Sequence, residues 1–237
     1  MDYYERMRLK LALFPLLLSI SLATHALNAT PSASKPLRSA MDSVLFYQLL
    51  LGELHARAED PGVAFSLVLD AARKTGDPAV YRRAVQIAIE ARAGESALQA
   101  AKAWSQAMPA SAEANRFMLQ ILLGLNRIAE TLEPLKRSVT LSPAADRAEL
   151  LWRWPDLFER VRDRPLAAGT VQKALTDWLG DKTVGATAWA VAGRFWLSAN
   201  DKVAALNAAD QGLTMDVKSE HPALLALALM HPDAPKA

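Results

Sequence analysis

The 237-residue sequence contains no cysteine. That single absence removes disulfides, thiolate metal sites, cysteine nucleophiles and a lipid-modified amino-terminal cysteine. Histidine is scarce too: His25, His55, His221 and His231 lie far apart, and no His-Glu-x-x-His ligand spacing occurs. The ten glycines form neither a Gly-x-Ser-x-Gly turn nor a phosphate-cradling loop. No cofactor, metal ion or catalytic residue is therefore expected. Charge of one sign is lacking as well, with 27 Lys and Arg against 25 Asp and Glu. A nucleic-acid partner, which calls for a clustered basic face, is not expected. Runs of β-branched residues are few, whereas Ala, Leu, Arg, Gln and Glu abound; these side chains lose little freedom in a helix, so the fold should be all-α.

The beginning of the chain has an address written on it. Arg6, Arg8 and Lys10 precede a mostly apolar run from Leu11 to Ala23, and Thr24-His25-Ala26 supplies small residues at cleavage spacing. Residues 1–26 are read as a secretory signal peptide cut after Ala26, with Met7 an alternative start. A membrane-spanning helix needs roughly 20 apolar residues, and His25 and Asn28 interrupt too early, so no transmembrane anchor is expected after cleavage. Cleavage takes away three basic and two acidic side chains, leaving the mature chain balanced to within one charge. Residues 27–40, rich in Ala, Ser, Thr and Pro, read as a flexible linker.

Beyond the linker the sequence is periodic. A small residue recurs at Ala64, Ala97 and Thr131, and Pro109 and Pro143 each lie twelve positions beyond the second and third of these. A period near 34 residues belongs to stacked helical hairpins. Three helix pairs are expected over 42–143. Phe65, Val68, Leu69 and Ala72 make one apolar stripe, and Ile128, Leu132, Leu135 and Val139 make another at helical offsets. Regularity fails after Ala144, where Pro155 sits in mid-helix and predicts a broken element with a short helix starting there. An irregular fourth unit and a fifth pair should fill 144–217. Residues 218–237 should hold one unpaired helix and a tail.

Trp189-x-x-Ala192-Gly193-x-x-Trp196 followed by Ala205, and Leu51-Gly52 followed by Ala64, resemble the tetratricopeptide repeat (TPR) pattern. The resemblance implies an α-α superhelix whose first helices line a concave, peptide-binding face. Leu45-Phe46-Tyr47-Gln48-Leu49-Leu50-Leu51-Gly52-Glu53-Leu54 and Asp77-Pro78 before Tyr81-Arg82-Arg83-Ala84 look like exported repeat proteins of Gram-negative bacteria. Some members of that group are adaptors for carboxy-terminal processing proteases of the cell envelope. The similarity implies a periplasmic scaffold or adaptor with a protein or peptide partner, such as an envelope protease or assembly factor, and no chemistry of its own.

The helix face opposite the packing stripe carries Arg82, Arg83, Gln86, Arg116, Gln120 and Arg194, the candidate partner-binding residues. Closely placed guanidinium groups offer paired donors that match a carboxylate. Phe46, Leu49 and Leu50 form a second apolar candidate, to be weighed against packing on the lead-in. One enzymatic alternative is carried by Glu95-Ser96-Ala97 and Met118-Leu119-Gln120, which are similar to signatures of lytic transglycosylases; Glu95 would be the general acid, held protonated in an apolar cleft. A third reading is self-association through residues 221–230, with Leu224, Leu225, Leu227 and Leu229 on an uncovered face.

Overall fold

The computed structural model describes residues 42–58 and 60–230, so the expected leader (1–26), the linker (27–40) and the tail after 230 lie outside the described residues. The described chain is all-α. Its helices are α1 (Ser43–Arg57), α2 (Pro61–Thr75), α3 (Pro78–Glu90), α4 (Gly94–Ala107), α5 (Ala112–Gly124), α6 (Leu132–Leu141), α7 (Arg147–Trp152), α8 (Trp154–Leu157), α9 (Arg164–Leu175), α10 (Gly185–Ser198), α11 (Lys202–Met215) and α12 (Glu220–Met230). From α1 to α6 each helix packs on the next in chain order; α9 then bridges α6 and α10, and α10, α11 and α12 pack on one another. From α1 to α6 the helices thus rest mainly on their chain neighbours, the build of a helical-hairpin repeat, while α7, α8 and α9 also reach elements farther away along the chain.

Local chemistry starts and stops these helices. Asp42, Asp60, Asp77, Ser111, Asp163 and Asp201 each accept a hydrogen bond from a backbone N–H of the first turn. Pro61 and Pro78 occupy first-turn positions where a missing N–H costs nothing. The hairpin turns repeat one geometry. Arg92, Asn126 and Asn200 take left-handed φ values of 55°, 57° and 62°. After each of them the next residue donates back five positions, Ala93 to Ala88, Arg127 to Leu122 and Asp201 to Trp196, all at 2.9 Å. This double closure uses the carbonyls that a helix end would otherwise leave bare. Asp60 makes the same bond to His55 at 3.1 Å in the first hairpin.

Four residues beyond each turn stand the small residues of the lattice: Ala64, Ala97, Thr131 and Ala205, all fully buried. They let the paired helices touch closely. A Cβ added to Gly52 would stand 2.7 Å from Val68 Cγ2. One added to Gly193 would collide with Leu225, and would lie 3.1 Å from Ala208 Cβ and 3.3 Å from the Ala205 carbonyl oxygen. At the matching places in the second and third units, Val85 and Leu119 are buried, and side chains fill the seam.

The core divides at α5. Ala114, Ile121 and Leu122 belong to an apolar cluster shared with α2, α3 and α4, whereas Leu119 belongs to a second one reaching α10. The second core absorbs the irregular unit. Pro155 ends regular helix as expected, and the short α8 begins one residue earlier, at Trp154. Trp154 and Phe158 are fully buried there, and Phe158 meets Phe195 edge-on at 5.1 Å. One expectation needs correction. The helix from Ile128 opens as a 3₁₀ turn (Ile128–Thr131), and α6 starts only at Leu132, which puts Pro134 in a first turn where it displaces no bond. Trp178 lies beyond the end of α9, with its ring under the Arg147 guanidinium.

Gly193→Val forces α10 away from α11 and α12, and should lower unfolding stability by about 2–3 kcal/mol. Chemical denaturation followed by circular dichroism checks this; an unchanged midpoint contradicts close approach at that seam.

Candidate functional site

The first helices α1, α3 and α5 carry an ion-pair ladder. Arg82 and Arg83 are consecutive on α3 and reach in opposite directions. Arg83 donates to both carboxylate oxygens of Glu53 on α1, at 2.6 and 2.8 Å, and Arg82 to both oxygens of Glu113 on α5, at 2.8 and 2.7 Å. Glu90 lies 3.6 Å from Arg83. These forks hold the Glu53 and Glu113 carboxyls below the ordinary carboxylate value, by hydrogen bonding first and charge second. Two of the arginines expected to receive a ligand carboxylate are therefore already occupied by the protein's own.

Farther along the same helices the surface is open. Gln86, Arg116 and Gln120 are exposed. Among the described residues Arg116 has only the distant Glu113, at 3.8 Å, which Arg82 already engages. Between the carboxy-terminal ends of α3 and α5 lies a cavity of about 380 Å³ lined by Ile89, Ala97, Phe117, Ile121 and Leu125, with Arg92 and Gln120 at its rim. Ile89 is 47% exposed, and Arg92 makes no ion pair among the described residues. Nothing in the periodicity announced this cavity. Its walls are ordinary core-type residues, and the opening is created by how α3 and α5 end.

Arg194 stands elsewhere. It is half-buried on α10, its guanidinium carbon 4.3 Å from the Trp152 ring centroid, and it donates to the Trp152 carbonyl oxygen at 3.1 Å. His221 of α12 stacks on the same Trp152 at 4.3 Å and shares a 2.8 Å hydrogen bond with the Thr187 hydroxyl. Of the six candidates, the structure brings Arg82, Gln86, Arg116 and Gln120 onto one α3–α5 surface, turns Arg83 toward α1, and places Arg194 in a separate cluster.

The enzymatic alternative does not survive the geometry. Glu95 has a side chain 74% exposed and is paired with Arg127 at 2.9 Å, so it lies on the surface and not in an apolar cleft. The self-association face is also redrawn. Leu225 is fully buried against Gly193, while Leu224, Leu227 and Met230 face outward on α12. On α1, Phe46 and Leu50 are exposed and Leu49 is half-buried. Among the described residues no helix is long and apolar enough to cross a membrane, and no group of His, Asp or Glu could hold a metal ion.

No protein-family model and no curated protein sequence matches the chain. Among solved structures it is similar to MamA 41-end from Desulfovibrio magneticus RS-1, at 15% identity over 76% of this chain and 99% of that one, with a TM-score of 0.41. It is similar as well to YrrB, a TPR protein with an unusual peptide-binding site, at 14% identity over 76% of this chain and 90% of that one, TM-score 0.37. A third is PilW, a type IV pilus biogenesis factor, at 16% identity over 81% of this chain and 88% of that one, TM-score 0.37.

The ladder can be tested through its coupling and its pH dependence. A double-mutant cycle of Glu53→Gln and Arg83→Gln should give about 0.5–1 kcal/mol of favourable coupling. Because both carboxyls titrate below their ordinary value of 4.5, the stability they add is complete above that pH and drains away as pH falls through the lowered values. The Glu53→Gln/Glu113→Gln protein should lose less stability on acidification from about pH 5 to 3 than the native chain. Parallel curves contradict the ladder.

Proposed function

We propose that this chain is an exported scaffold that binds a polypeptide segment across the first helices α3 and α5. An apolar side chain of the partner enters the cavity between them, and an acidic neighbour meets Arg92 and Arg116. The cavity of Ile89, Phe117, Ile121 and Leu125 is the observation that carries this reading. A pocket of a few hundred Å³ accepts one large aliphatic or aromatic residue, and the Arg92 guanidinium at its edge selects against basic neighbours. Hydrophobic anchoring supplies affinity while the exposed charges steer encounter.

The address is part of the same proposal. The basic leader followed by the Leu11–Ala23 apolar run supports export. The resemblance of the Leu45–Leu54 segment to exported Gram-negative repeat proteins supports a periplasmic site of action, in envelope protein assembly or proteolysis. The chain itself then acts as adaptor and performs no reaction.

Selection from a random peptide library on the purified chain should enrich a large apolar residue next to Asp or Glu. Ile89→Asp, at a surface position that leaves the core intact, should weaken the selected peptide at least tenfold, as about 1.4 kcal/mol of lost contact requires. Selection of basic peptides, or unchanged binding by Ile89→Asp, would overturn the assignment.

A further inference from the structure

We propose that the outward face of α1 is a self-association surface, on which a second copy of this chain lays its own α1 antiparallel about a two-fold axis near Leu50. The proposal does not depend on the cavity between α3 and α5.

Among the described elements α1 stands at one end of the stack: α3 packs on both α2 and α4, whereas α1 packs on α2. Gly52 and Gln48 face that neighbour. A Cβ on Gly52 would meet Val68, and the Gln48 side-chain amide donates to the Leu67 carbonyl oxygen and to Asp70, both at 2.8 Å. On the opposite side Val44, Phe46, Tyr47, Leu50 and Leu54 are 43–71% exposed. At the helical pitch these five side chains fall within roughly 160° of arc, one continuous apolar face. A terminal repeat that meets only water carries a polar outer face. Here the polar side chains nearby are already engaged. Glu53 receives both donors of Arg83, and His55 lies 3.4 Å from Asp60.

Area and charge identify the occupant. At their observed exposure the five side chains offer on the order of 500–600 Å² per copy, so two copies cover about 1,000–1,200 Å², the lower end of what a specific interface buries. Asp42 stands eight residues before Leu50 and Arg57 seven after it; both are exposed, and neither makes an ion pair among the described residues. Antiparallel packing about Leu50 therefore brings Asp42 of each copy beside Arg57 of the other and opposes the two helix dipoles. It also sets Tyr47 against Leu54 of the second copy, since these lie three and four residues from Leu50. A parallel pair would set like charges together, which selects against it. The segment before α1 is a poorer cover. After the leader cleavage proposed above, residues 27–40 hold only Leu27 and Leu37 as large apolar side chains.

Sedimentation equilibrium of the exported chain, with leader removal checked by intact mass, should show a dimer at micromolar concentration. Leu50→Glu and, separately, Tyr47→Lys should each raise the dissociation constant at least about a hundredfold, because the new charge enters the interface twice. Circular dichroism confirms that both fold, and both should still bind the library-selected peptide at α3 and α5. Arg57→Glu should weaken the dimer at least about tenfold, and adding Asp42→Asn, which keeps the helix cap, should recover part of the loss. The chain has no cysteine, so Leu50→Cys gives each copy one thiol, which a short bismaleimide should link across the axis. Thiols from Val44→Cys would lie about 18 Å apart and should stay unlinked. A monomer, with or without the leader, a dimer that tolerates Leu50→Glu, a dimer lost instead with Leu227→Glu on α12, or linkage through Val44→Cys and not Leu50→Cys would each overturn the proposal.

Discussion

Close approach of helices at small residues is the constraint on which the rest of the structure depends. At Gly52 and Gly193 the helices lie so close that an added Cβ would run into the Val68 and Leu225 side chains, with the Ala64 and Ala205 carbonyl oxygens 3.7 and 3.3 Å away. Nearby helices fix one another's angle, and the shared turn geometry at Arg92, Asn126 and Asn200 sets the same spacing in three hairpins. The small-residue side of each first helix is consumed by this packing. Its other side is left available, and there the charged and cavity-lining residues are found.

That available side is not uniform. Around α1, α3 and α5 the arginines are structural: consecutive residues on α3 reach back to Glu53 and forward to Glu113, stapling three first helices together. The staples neutralise most of the local charge, leaving Arg92 at the rim of an apolar hollow and Arg116 exposed on α5. Toward α7, α10 and α12 the order is reversed. There Trp152 packs on the Arg194 guanidinium, which pairs with no carboxylate among the described residues, and the broken fourth unit makes this possible, because Pro155 ends regular helix and leaves Trp152 at the end of a short element.

Much of the architecture is legible in the sequence because packing at a fixed period requires small residues at a fixed period. Ala64, Ala97, Thr131 and Ala205 obey that rule, and the fault at Pro155 marks where it fails. Pro134 lies outside it, since the apolar stripe runs through the proline unbroken while the proline delays the start of α6. The binding surface is harder to read, since side-chain partners two helices apart leave only a faint trace. One trace is available: Glu53 and Arg83 are 30 positions apart, Arg82 and Glu113 31, Glu95 and Arg127 32. Opposite charges separated by slightly less than one repeat land beside each other on successive units. The cavity leaves no comparable trace, because Ile89 and Leu125 look like core residues until the helix ends around them are placed. The Trp152, Arg194 and His221 cluster joins three elements across the irregular unit, where periodicity gives no register.

The claim that ties these findings together is that partners use the first helices and leave the second helices bare. Hydroxyl-radical footprinting with mass-spectrometric readout measures this directly, with and without a saturating library-selected peptide. Slowed oxidation of Ile89 and Phe117, with Val203 and Leu206 on α11 unchanged, is the expected pattern. Protection of Val203 and Leu206, with Ile89 and Phe117 still fully reactive, would contradict it.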